Sequence, residues 1–454
     1  MTYLKFYMDI QLTIKKGLDL NLDGNILSDK VTDAKAPASV AVIPDDFPGL
    51  TPKPDVKDGD SVRAGDPLFH DKLHEEIKVV SPVAGTVRGV IRGERRKIMR
   101  IVVEPSEKAE FKTFEPVTSP TADKVKQLLL ESGLWAMIHH RPYGIVARPD
   151  DEPRDIFVTA IDTAPLAPSM DVLLKGKEKE LQAGADAIAT LTKGKVYIGR
   201  SAAGSVPTLK GVTTVDITGP HPAGNAGTII ANIRPINKGE TVWTLDGVTL
   251  ARIGALMLTG RVDMTAVVAV DGSEIKNPGY YSTVIGADMA SLLDGNIKPD
   301  GADHRIISGN VLTGYKSALD DYLRFPYTQV TVIPEGDHAD EFMGWASLSP
   351  SKMSVSRSFP GHFLKRKFNP DARILGGRRA MIMSGEYDSV MPMDIMAEYL
   401  IKAILSRDID KMEALGIYEI LPEDFALAEY VDTSKLELQK IVAEGLDYLR
   451  KENE

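Results

Sequence analysis

Five consecutive residues, His139, His140, Arg141, Pro142 and Tyr143, bring together side chains that can donate hydrogen bonds. Two imidazoles, a guanidinium and a phenol suit a flat ligand with two carbonyl oxygens, because each oxygen can accept a hydrogen bond from one of them. A quinone is such a ligand, and the segment is predicted to lie in a loop. A packed domain junction explains the same residues at least as well, so both interpretations stay open.

A glycine-rich segment, GPHPAGNAGT at residues 219–228, follows a predicted strand. Such a loop cradles a phosphate when a helix follows it. Residues 228–233 (TIIANI) are instead predicted to form a strand, and no Lys or Arg occurs between Lys210 and Arg234. We therefore interpret the segment as a vestigial nucleotide loop, with a tight turn that needs glycine as the simpler alternative. The residues of this loop are Gly219, His221, Gly224 and Gly227.

Lys72, in the sequence HDKLHEE, lies near the position of the modified turn lysine of biotinyl and lipoyl carriers. The lipoyl pattern sets that lysine eight residues before a Ser-Pro pair, whereas Lys72 lies nine before Ser81, and the biotinyl Met-Lys-Met is absent. An unmodified β-sandwich is therefore favoured. His70 and His74 are four apart in a β context, where that spacing does not share one face, so no metal site is predicted. No catalytic residue is assigned.

The composition excludes several classes of function. The chain contains no cysteine, which rules out disulfides, thiolate zinc sites and cysteine-held iron–sulfur clusters. A net charge of −10 argues against a general nucleic-acid-binding protein. No apolar run approaches the roughly 20 residues of a transmembrane segment, and the N-terminus lacks a signal-peptide pattern. A cytoplasmic location is therefore expected.

The elements that position these residues indicate an α/β and α+β multidomain chain. Short strands broken by Gly and Pro, then strands alternating with helices, then further short strands precede a helical end. The predicted regions are a biotinyl/lipoyl-like β-sandwich (barrel-sandwich hybrid) at 9–105, a Rossmann-like α/β domain at 120–258, a β-grasp (SLBB-like) domain at 259–345, an extended basic connector at 346–385 and a helical domain at 386–454. The basic stretches are interpreted as solvated faces, with docking near anionic headgroups as the alternative.

Local signals predict where individual helices begin and end. Residues 123–132 are expected to form a helix that stops at Gly133. Asp394 and Asp408 are expected to cap two C-terminal helices, and Ser434 with Glu437 (a capping box) is expected to open the last one.

An ordered set of motifs carries a resemblance over nearly the whole chain. It includes IKKGLDL, SPVAGTV, HRPYG, AIDTAPLAP, GPHPAGNAGT, NPGYYSTVIGA, VMPMDI and PEDFALAEYV. In this order they resemble the A-subunit family of the bacterial Na+-translocating NADH:quinone reductase (Na+-NQR). That family often has Arg-Thr-Arg-Pro-Phe where this chain has residues 139–143, so Arg141 and Pro142 match. The first seven residues, before Met8, extend beyond the family's usual start, as a leader or tag would.

The resemblance implies a peripheral subunit on the cytoplasmic side of the bacterial inner membrane, within a Na+-exporting oxidoreductase complex. It implies the other subunits of the Na+-NQR complex (B to F) as partners, above all the B-subunit in the membrane, and quinone as substrate. No cofactor is expected on this chain, and flavins and iron–sulfur centres are expected on the partners. The alternative is a subunit that binds NADH or flavin, like the C-subunit of the Rnf complex or the flavin subunit of respiratory complex I. The Rnf family carries ferredoxin-type cysteine runs, which this chain lacks.

Overall fold

We analysed a computed structural model of the chain, which describes residues 9–299, 303–336, 350, 352–355, 359–364, 366–374 and 376–453. The strands are β1 Ile10–Thr13, β2 Val31–Asp33, β3 Val40–Val42, β4 Pro52–Pro54, β5 Ser61–Val62, β6 Pro67–Asp71, β7 Lys78–Val80, β8 Gly85–Arg92, β9 Ile98–Pro105, β10 His139–Arg141, β11 Ile145–Val146, β12 Asp155–Ala160, β13 Val196–Ser201, β14 Thr213–Thr218, β15 Val242–Asp246, β16 Thr265–Asp271, β17 Gly279–Val284, β18 His304–Ser308, β19 Tyr315–Ser317 and β20 Gln329–Pro334.

The α-helices are α1 Ala122–Ser132, α2 Met170–Leu173, α3 Glu178–Ile188, α4 Ala226–Ile233, α5 Gly247–Thr259, α6 Met289–Leu292, α7 Tyr387–Val390, α8 Ala397–Ser406, α9 Ile409–Ala414, α10 Ala426–Val431 and α11 Leu438–Asn453.

Two small sheets form the N-terminal β-sandwich, with strand orders β3-β9-β8-β5 and β4-β6-β7. Their inner faces carry apolar residues that are almost fully buried, such as Leu68, Phe69 and Ile101. Strands β1 and β2 join other sheets, by pairing with β14 and β17, although both fall inside the region 9–105. The sandwich strands themselves therefore begin at Val40.

The central sheet has the order β1-β14-β13-β12-β15-β10-β11. Strands β1, β14, β13, β12 and β15 run parallel to one another, whereas β10 runs antiparallel to β15 and β11. A parallel sheet of this kind is what strands alternating with helices favour. The chain leaves β12 towards β13 and β14 and then returns to β15 on the other side of β12. That reversal is a topological switch point, where ligands bind in open α/β sheets.

A six-stranded sheet, β19-β18-β20-β16-β17-β2, forms the β-grasp region, and α7 to α11 pack around a C-terminal apolar core. Of the connector predicted at 346–385, residues 346–349, 351, 356–358, 365 and 375 lie outside the described residues, as do residues 1–8 with the leader-like extension. The boundaries of the five predicted regions remain predictions.

Helix α1 is present where its spacing predicts it, and Gly133 ends it at φ +79°. Asp408 accepts a hydrogen bond from the Lys411 backbone and caps α9, as expected. The prediction for Asp394 was wrong, because residues 393–395 form a bend and α8 begins only at Ala397.

The predicted capping box at Ser434 and Glu437 was also wrong. The Ser434 hydroxyl donates to the Ala380 carbonyl, 3.1 Å away, so it serves a neighbouring segment rather than the helix. The first turn of α11 is instead capped from outside, because the Gln439 N–H donates to the Glu429 carboxylate at 2.8 Å.

Candidate functional site

The carboxyl ends of β12 and β15 lie side by side at the switch point, the place where open α/β sheets form a ligand-binding crevice. Asp162 follows β12, and Asp246 ends β15, where its carboxylate caps α5 by accepting from the Thr249 N–H at 2.8 Å. Asp246 and Arg141 influence the pKa of His139, and Arg141 and Asp162 influence the pKa of Glu423, so Arg141 links these acidic residues into one place. We call this place the switch-point crevice.

The glycine-rich segment enters the crevice and continues into a helix. The predicted strand at 228–233 was wrong, because residues Ala226–Ile233 form α4, with Asn225 at its N-cap in an extended conformation. A short apolar run such as TIIANI does not distinguish a strand from a buried helix by periodicity. Ile229 and Ile230 bury one face of α4 in the core against the central sheet, which decides for the helix.

The loop residues occupy tight positions. A Cβ on Gly219, at φ +139°, would lie 2.4 Å from the Ile14 carbonyl oxygen, so the position requires glycine. The Gly224 N–H donates to the Thr163 hydroxyl at 3.0 Å, and the His221 ring lies 3.1 Å from the same hydroxyl. Burial lowers the pKa of His221 to about 4, which keeps this imidazole neutral at pH 7.

Residues His139–Arg141 form strand β10, so the predicted loop at this position was wrong. The backbones of the two histidines pair in register with β15 and β11, and Pro142, which lacks an N–H, lies just beyond the strand. Because strand side chains alternate between faces, His139 and Arg141 point to the α4 side and His140 to the other. Arg141 accordingly lies opposite Val242, which packs with Ile229 of α4.

The guanidinium of Arg141 is held by two consecutive carboxylates from the C-terminal region. Its Nη2 donates to the Glu423 Oε1 at 2.6 Å, and its Nη1 donates to the Asp424 Oδ2 at 3.3 Å. The side chains of Arg141 and Asp424 are 2% and 1% exposed. We call these three residues the clasp, since they tie the 3-10 turn Pro422–Phe425 to the central sheet.

The clasp reaches the first turn of α4. A Cβ on Gly227 would lie 2.4 Å from the Asp424 Oδ2 and 2.5 Å from its Oδ1, so only a glycine lets this carboxylate approach the helix. Arg141 and Gly227 belong to two segments that stand out separately in the sequence. The clasp brings these two segments together at one place.

The crevice is acidic and partly withdrawn from water. Burial raises the pKa of Glu423, with the negative charges of Asp424 and Asp162 adding to the effect and Arg141 opposing it. Desolvation by the surrounding protein atoms raises the pKa of Asp162, although its side chain is exposed, and burial lowers the pKa of His139, which favours a neutral imidazole. Carboxyls therefore outnumber cations here, and a nucleotide phosphate would meet like charge.

The predicted quinone-binding residues differ in whether their side chains already have hydrogen-bond partners. His140 and Arg141 are engaged with carboxylates, since the His140 Nδ1 lies 3.0 Å from Asp151 and Arg141 belongs to the clasp. Among the described residues no hydrogen-bond partner is found for the ring of His139. The Tyr143 hydroxyl accepts a long hydrogen bond from Asn453, at 3.4 Å, and keeps its own proton available. The assignment of quinone contacts stays a prediction.

Sequence reasoning missed Asp162, Glu423 and Asp424 as site residues. Asp162 lies in the motif AIDTAPLAP, and Glu423 and Asp424 lie in the motif PEDFALAEYV. The motifs were therefore recognised, but the sequence did not predict that their carboxylates lie near one another. Arg141 and Asp424 are 283 positions apart, and no local pattern places them in contact.

The other candidate residues lie away from the crevice. Lys72 is exposed in the turn between β6 and β7. His70 lies 2.7 Å from the Asp55 carboxylate, which accounts for one of its two ring nitrogens. Within the part of the chain that the structure describes, no group of three or more His, Cys, Asp or Glu side chains is arranged to hold a metal ion. None of the helices among those residues is long and apolar enough to cross a membrane.

Comparison with protein families matches three segments of the chain. Residues 12–106 match the NqrA N-terminal barrel-sandwich hybrid domain, residues 120–262 the NqrA second alpha/beta domain, and residues 267–318 the NQRA C-terminal domain. These matches confirm the predicted barrel-sandwich, α/β and SLBB-like fold classes.

Full-length relatives agree with these matches. The A-subunit of the Na(+)-translocating NADH-quinone reductase of Pasteurella multocida is 36% identical over 448 residues, which cover 97% of this chain and 100% of the relative. The corresponding protein of Neisseria meningitidis serogroup B is 35% identical over 449 residues, with the same coverage. Among solved structures, an NAD+-reducing [NiFe]-hydrogenase in the air-oxidised state aligns at 14% identity and a TM-score of 0.36, over 73% of this chain and 61% of that one.

Proposed function

Because the chain belongs to the A-subunit family of the Na+-translocating NADH-quinone reductase, and is thus one subunit of an oxidoreductase complex, we propose that it works without a redox cofactor of its own. In this proposal it lies on the cytoplasmic side of the membrane, docks on the B-subunit in the membrane and contributes to quinone binding and reduction coupled to Na+ export. Flavins and iron–sulfur centres then belong to the other subunits of the complex.

The clasp is the observation that supports the absence of a nucleotide cofactor. In dinucleotide-binding folds the pyrophosphate sits at a helix N-terminus beside the switch point. Here the Asp424 carboxylate lies against the first turn of α4, and Glu423 and Asp162 add negative charge nearby. A bound pyrophosphate would have to displace Asp424 and would be repelled by the remaining carboxylates.

Of the five predicted quinone-binding residues, His139 and Tyr143 have side-chain donors that remain available to a quinone. His139 is half-buried, and its lowered pKa leaves a neutral ring that can donate to a carbonyl oxygen. Tyr143 retains a phenolic proton. His140 and Arg141 are bound to carboxylates and are assigned the role of keeping the strand and the turn in position, together with Pro142.

Quinone binding by the isolated chain tests this assignment. Replacing a single neutral donor removes about 0.5–1.5 kcal/mol of binding, so His139→Ala and Tyr143→Phe should each weaken quinone affinity about 2- to 12-fold. Tyr399→Phe is the matched control, since this tyrosine is 56% exposed on α8, away from the crevice. Unchanged affinity in both His139→Ala and Tyr143→Phe would remove the assignment.

A second candidate, a subunit that binds NADH or flavin, is favoured by one observation. The helix that a nucleotide loop requires is present as α4, contrary to the sequence-based expectation. A visible spectrum of the purified chain separates the candidates, because a bound flavin absorbs at about 450 nm. A colourless chain that does not retain NADH supports the cofactor-free proposal, and a retained flavin contradicts it.

A further inference from the structure

Three buried polar atoms without a hydrogen-bond partner gather around the first turn of α4, among the residues that the structure describes. They are the Thr228 hydroxyl oxygen, the Arg141 Nε and the Asp424 Oδ1. Thr228 is 0% exposed, Arg141 1% and Asp424 4%. Leaving a buried polar atom unpaired costs about 1–3 kcal/mol, so three such atoms at one place call for an explanation.

The helix terminus itself is also uncapped. Asn225, at the N-cap, makes no side-chain hydrogen bond to the first turn, and its amide instead donates to the Glu423 carbonyl at 3.5 Å. The first N–H groups of a helix have no partner within the helix and carry partial positive charge. This first turn therefore combines uncapped backbone donors, a buried hydroxyl and a guanidinium, which together are the groups that bind oxyanions.

We propose that the first turn of α4, the Thr228 hydroxyl and the Arg141 guanidinium form an oxyanion site that the Asp424 carboxylate holds closed by taking the place of the ligand. The ligand class is a tetrahedral oxyanion, either free phosphate or the terminal phosphate of a pyrophosphate or nucleotide. A carboxylate has only two oxygens, and the Asp424 Oδ2 already accepts from Arg141 and from the Leu421 N–H. Its remaining oxygen reaches neither Thr228 nor the Arg141 Nε, which explains why all three atoms are left unpaired.

The site also has a built-in way to open. Asp424 belongs to the turn Pro422–Phe425, which precedes α10 directly, so an oxyanion can enter only if this turn moves away from the central sheet. Occupancy of the site is therefore coupled to the position of the C-terminal helices. Gly227 permits the closed state, because any side chain there would collide with the carboxylate.

Calorimetric titration of the full chain with inorganic phosphate, with pyrophosphate and with ADP tests the proposal. The natural chain should show no saturable binding, because Asp424 fills the site and adds to the negative charge of Glu423, whereas Asp424→Ala should bind phosphate or pyrophosphate saturably. Adding Thr228→Val to Asp424→Ala should weaken that binding about 2- to 12-fold, the equivalent of one neutral hydrogen bond. Glu437→Ala, which removes an exposed carboxylate on another surface, is the control and should bind no better than the natural chain.

The three ligands distinguish the sources of the oxyanion. Equal affinity for phosphate and pyrophosphate supports a single-phosphate site, and tighter binding of ADP that still needs Thr228 supports a nucleotide phosphate. Binding of ADP alone, insensitive to Thr228→Val, would contradict the proposal, because the base would then be the recognised group.

A second variant, Asp424→Ser, keeps a small polar group that can accept from the Leu421 N–H and so protects the turn. Circular dichroism and thermal melting establish that each variant is folded. If folded Asp424→Ala and Asp424→Ser bind no oxyanion, the proposal fails. It also fails if neither variant folds, because Asp424 is then needed for the fold itself rather than as a substitute ligand.

Discussion

Two domain junctions in this protein use the same kind of ion pair but complete it differently. In the clasp, Arg141 meets Glu423 and Asp424 and leaves its Nε and one Asp424 oxygen unpaired. At the junction of the β-sandwich and the β-grasp region, the Arg324 Nε donates to the Asp46 Oδ1 at 2.7 Å. The other Asp46 oxygen accepts from the Phe325 N–H at 3.0 Å, so both carboxylate oxygens are used.

The surroundings of the two ion pairs also differ, because the pair of Asp46 and Arg324 is packed among aromatic rings. Phe47 and Phe325 stack beside Asp46 with ring centroids 5.4 Å apart and planes 9° apart. Arg324 in turn lies 3.8 Å from the centre of the Tyr315 ring. We call this second place, defined by Asp46, Phe47, Arg324 and Phe325, the aromatic junction. A fully paired ion pair packed among rings is suited to a permanent joint, whereas an incompletely paired one in an acidic crevice is suited to exchange.

The largest predicted effect breaks the clasp. Arg141→Met should destabilise the chain by about 3–5 kcal/mol, because it leaves a buried carboxylate without its counter-charge while Glu423 stands beside it. Urea denaturation at pH 7 measures the change in the free energy of unfolding. A loss below about 1 kcal/mol would show that the turn Pro422–Phe425 is held by its apolar contacts alone and that the clasp adds little to this junction.

Mild acid should weaken the crevice region. The pKa of His221 is about 4 in the folded chain against 6.5 for an ordinary histidine, because burial disfavours the charged ring. The unfolded chain then binds the extra proton first, so stability present above pH 6.5 is lost as the pH falls towards 4, by at most about 3 kcal/mol. His221→Gln, which does not titrate, should remove this loss. Unfolding free energies of the two chains at pH 7 and pH 5 measure it, and parallel losses in both would exclude His221 as the cause.

The aromatic junction should respond to acid in the opposite direction. Burial raises the pKa of Asp46 from 3.8 to about 6, more than Arg324 lowers it. The folded chain therefore takes up the proton first, and stability rises as the pH falls from about 6 to 3.8, by at most about 3 kcal/mol. Asp46→Asn should abolish this rise. The free energies of unfolding of the variant and of the natural chain are measured at pH 7 and at pH 4.5. Relative to the natural chain, the variant should be more stable at pH 7 than at pH 4.5. A difference that is the same at both pH values would contradict the prediction.

The aromatic junction and the clasp also show what the sequence could predict. Spacing over a few residues predicts α1 and its end at Gly133, the strands β12, β13 and β14 of the central sheet and the cap at Asp408, because each depends on neighbours in the chain. The helix α4 was missed because its apolar run fits a strand equally well, and burial against the sheet decides the outcome. Ser434 failed as a cap because a distant carbonyl, that of Ala380, competes for its hydroxyl.

The candidate site was predictable only in its parts. Arg141 and the glycine-rich loop stand out by composition, but the contact between them depends on Asp424, whose position follows from the packing of the whole C-terminal region. The raised pKa values of Glu423 and Asp162 likewise arise from desolvation by residues that are distant in sequence, which no local sequence pattern encodes.

The smallest predicted effect concerns an exposed ion pair, which serves as a reference for the two buried ion pairs. Arg378 and Glu437 also join the connector to the region of α11, with an Nη2–Oε1 distance of 2.7 Å, but their side chains are 61% and 47% exposed. Water screens such a pair, so Arg378→Ala should change the free energy of unfolding by only about 0.2–1 kcal/mol, and by less in about 0.5 M salt. Arg141→Met under the same conditions should keep most of its effect, since burial excludes the screening ions. If salt reduced both losses in equal proportion, the clasp would have to be as accessible to solvent as the surface pair, and its contrast with the aromatic junction would then lie in exposure rather than in incomplete pairing.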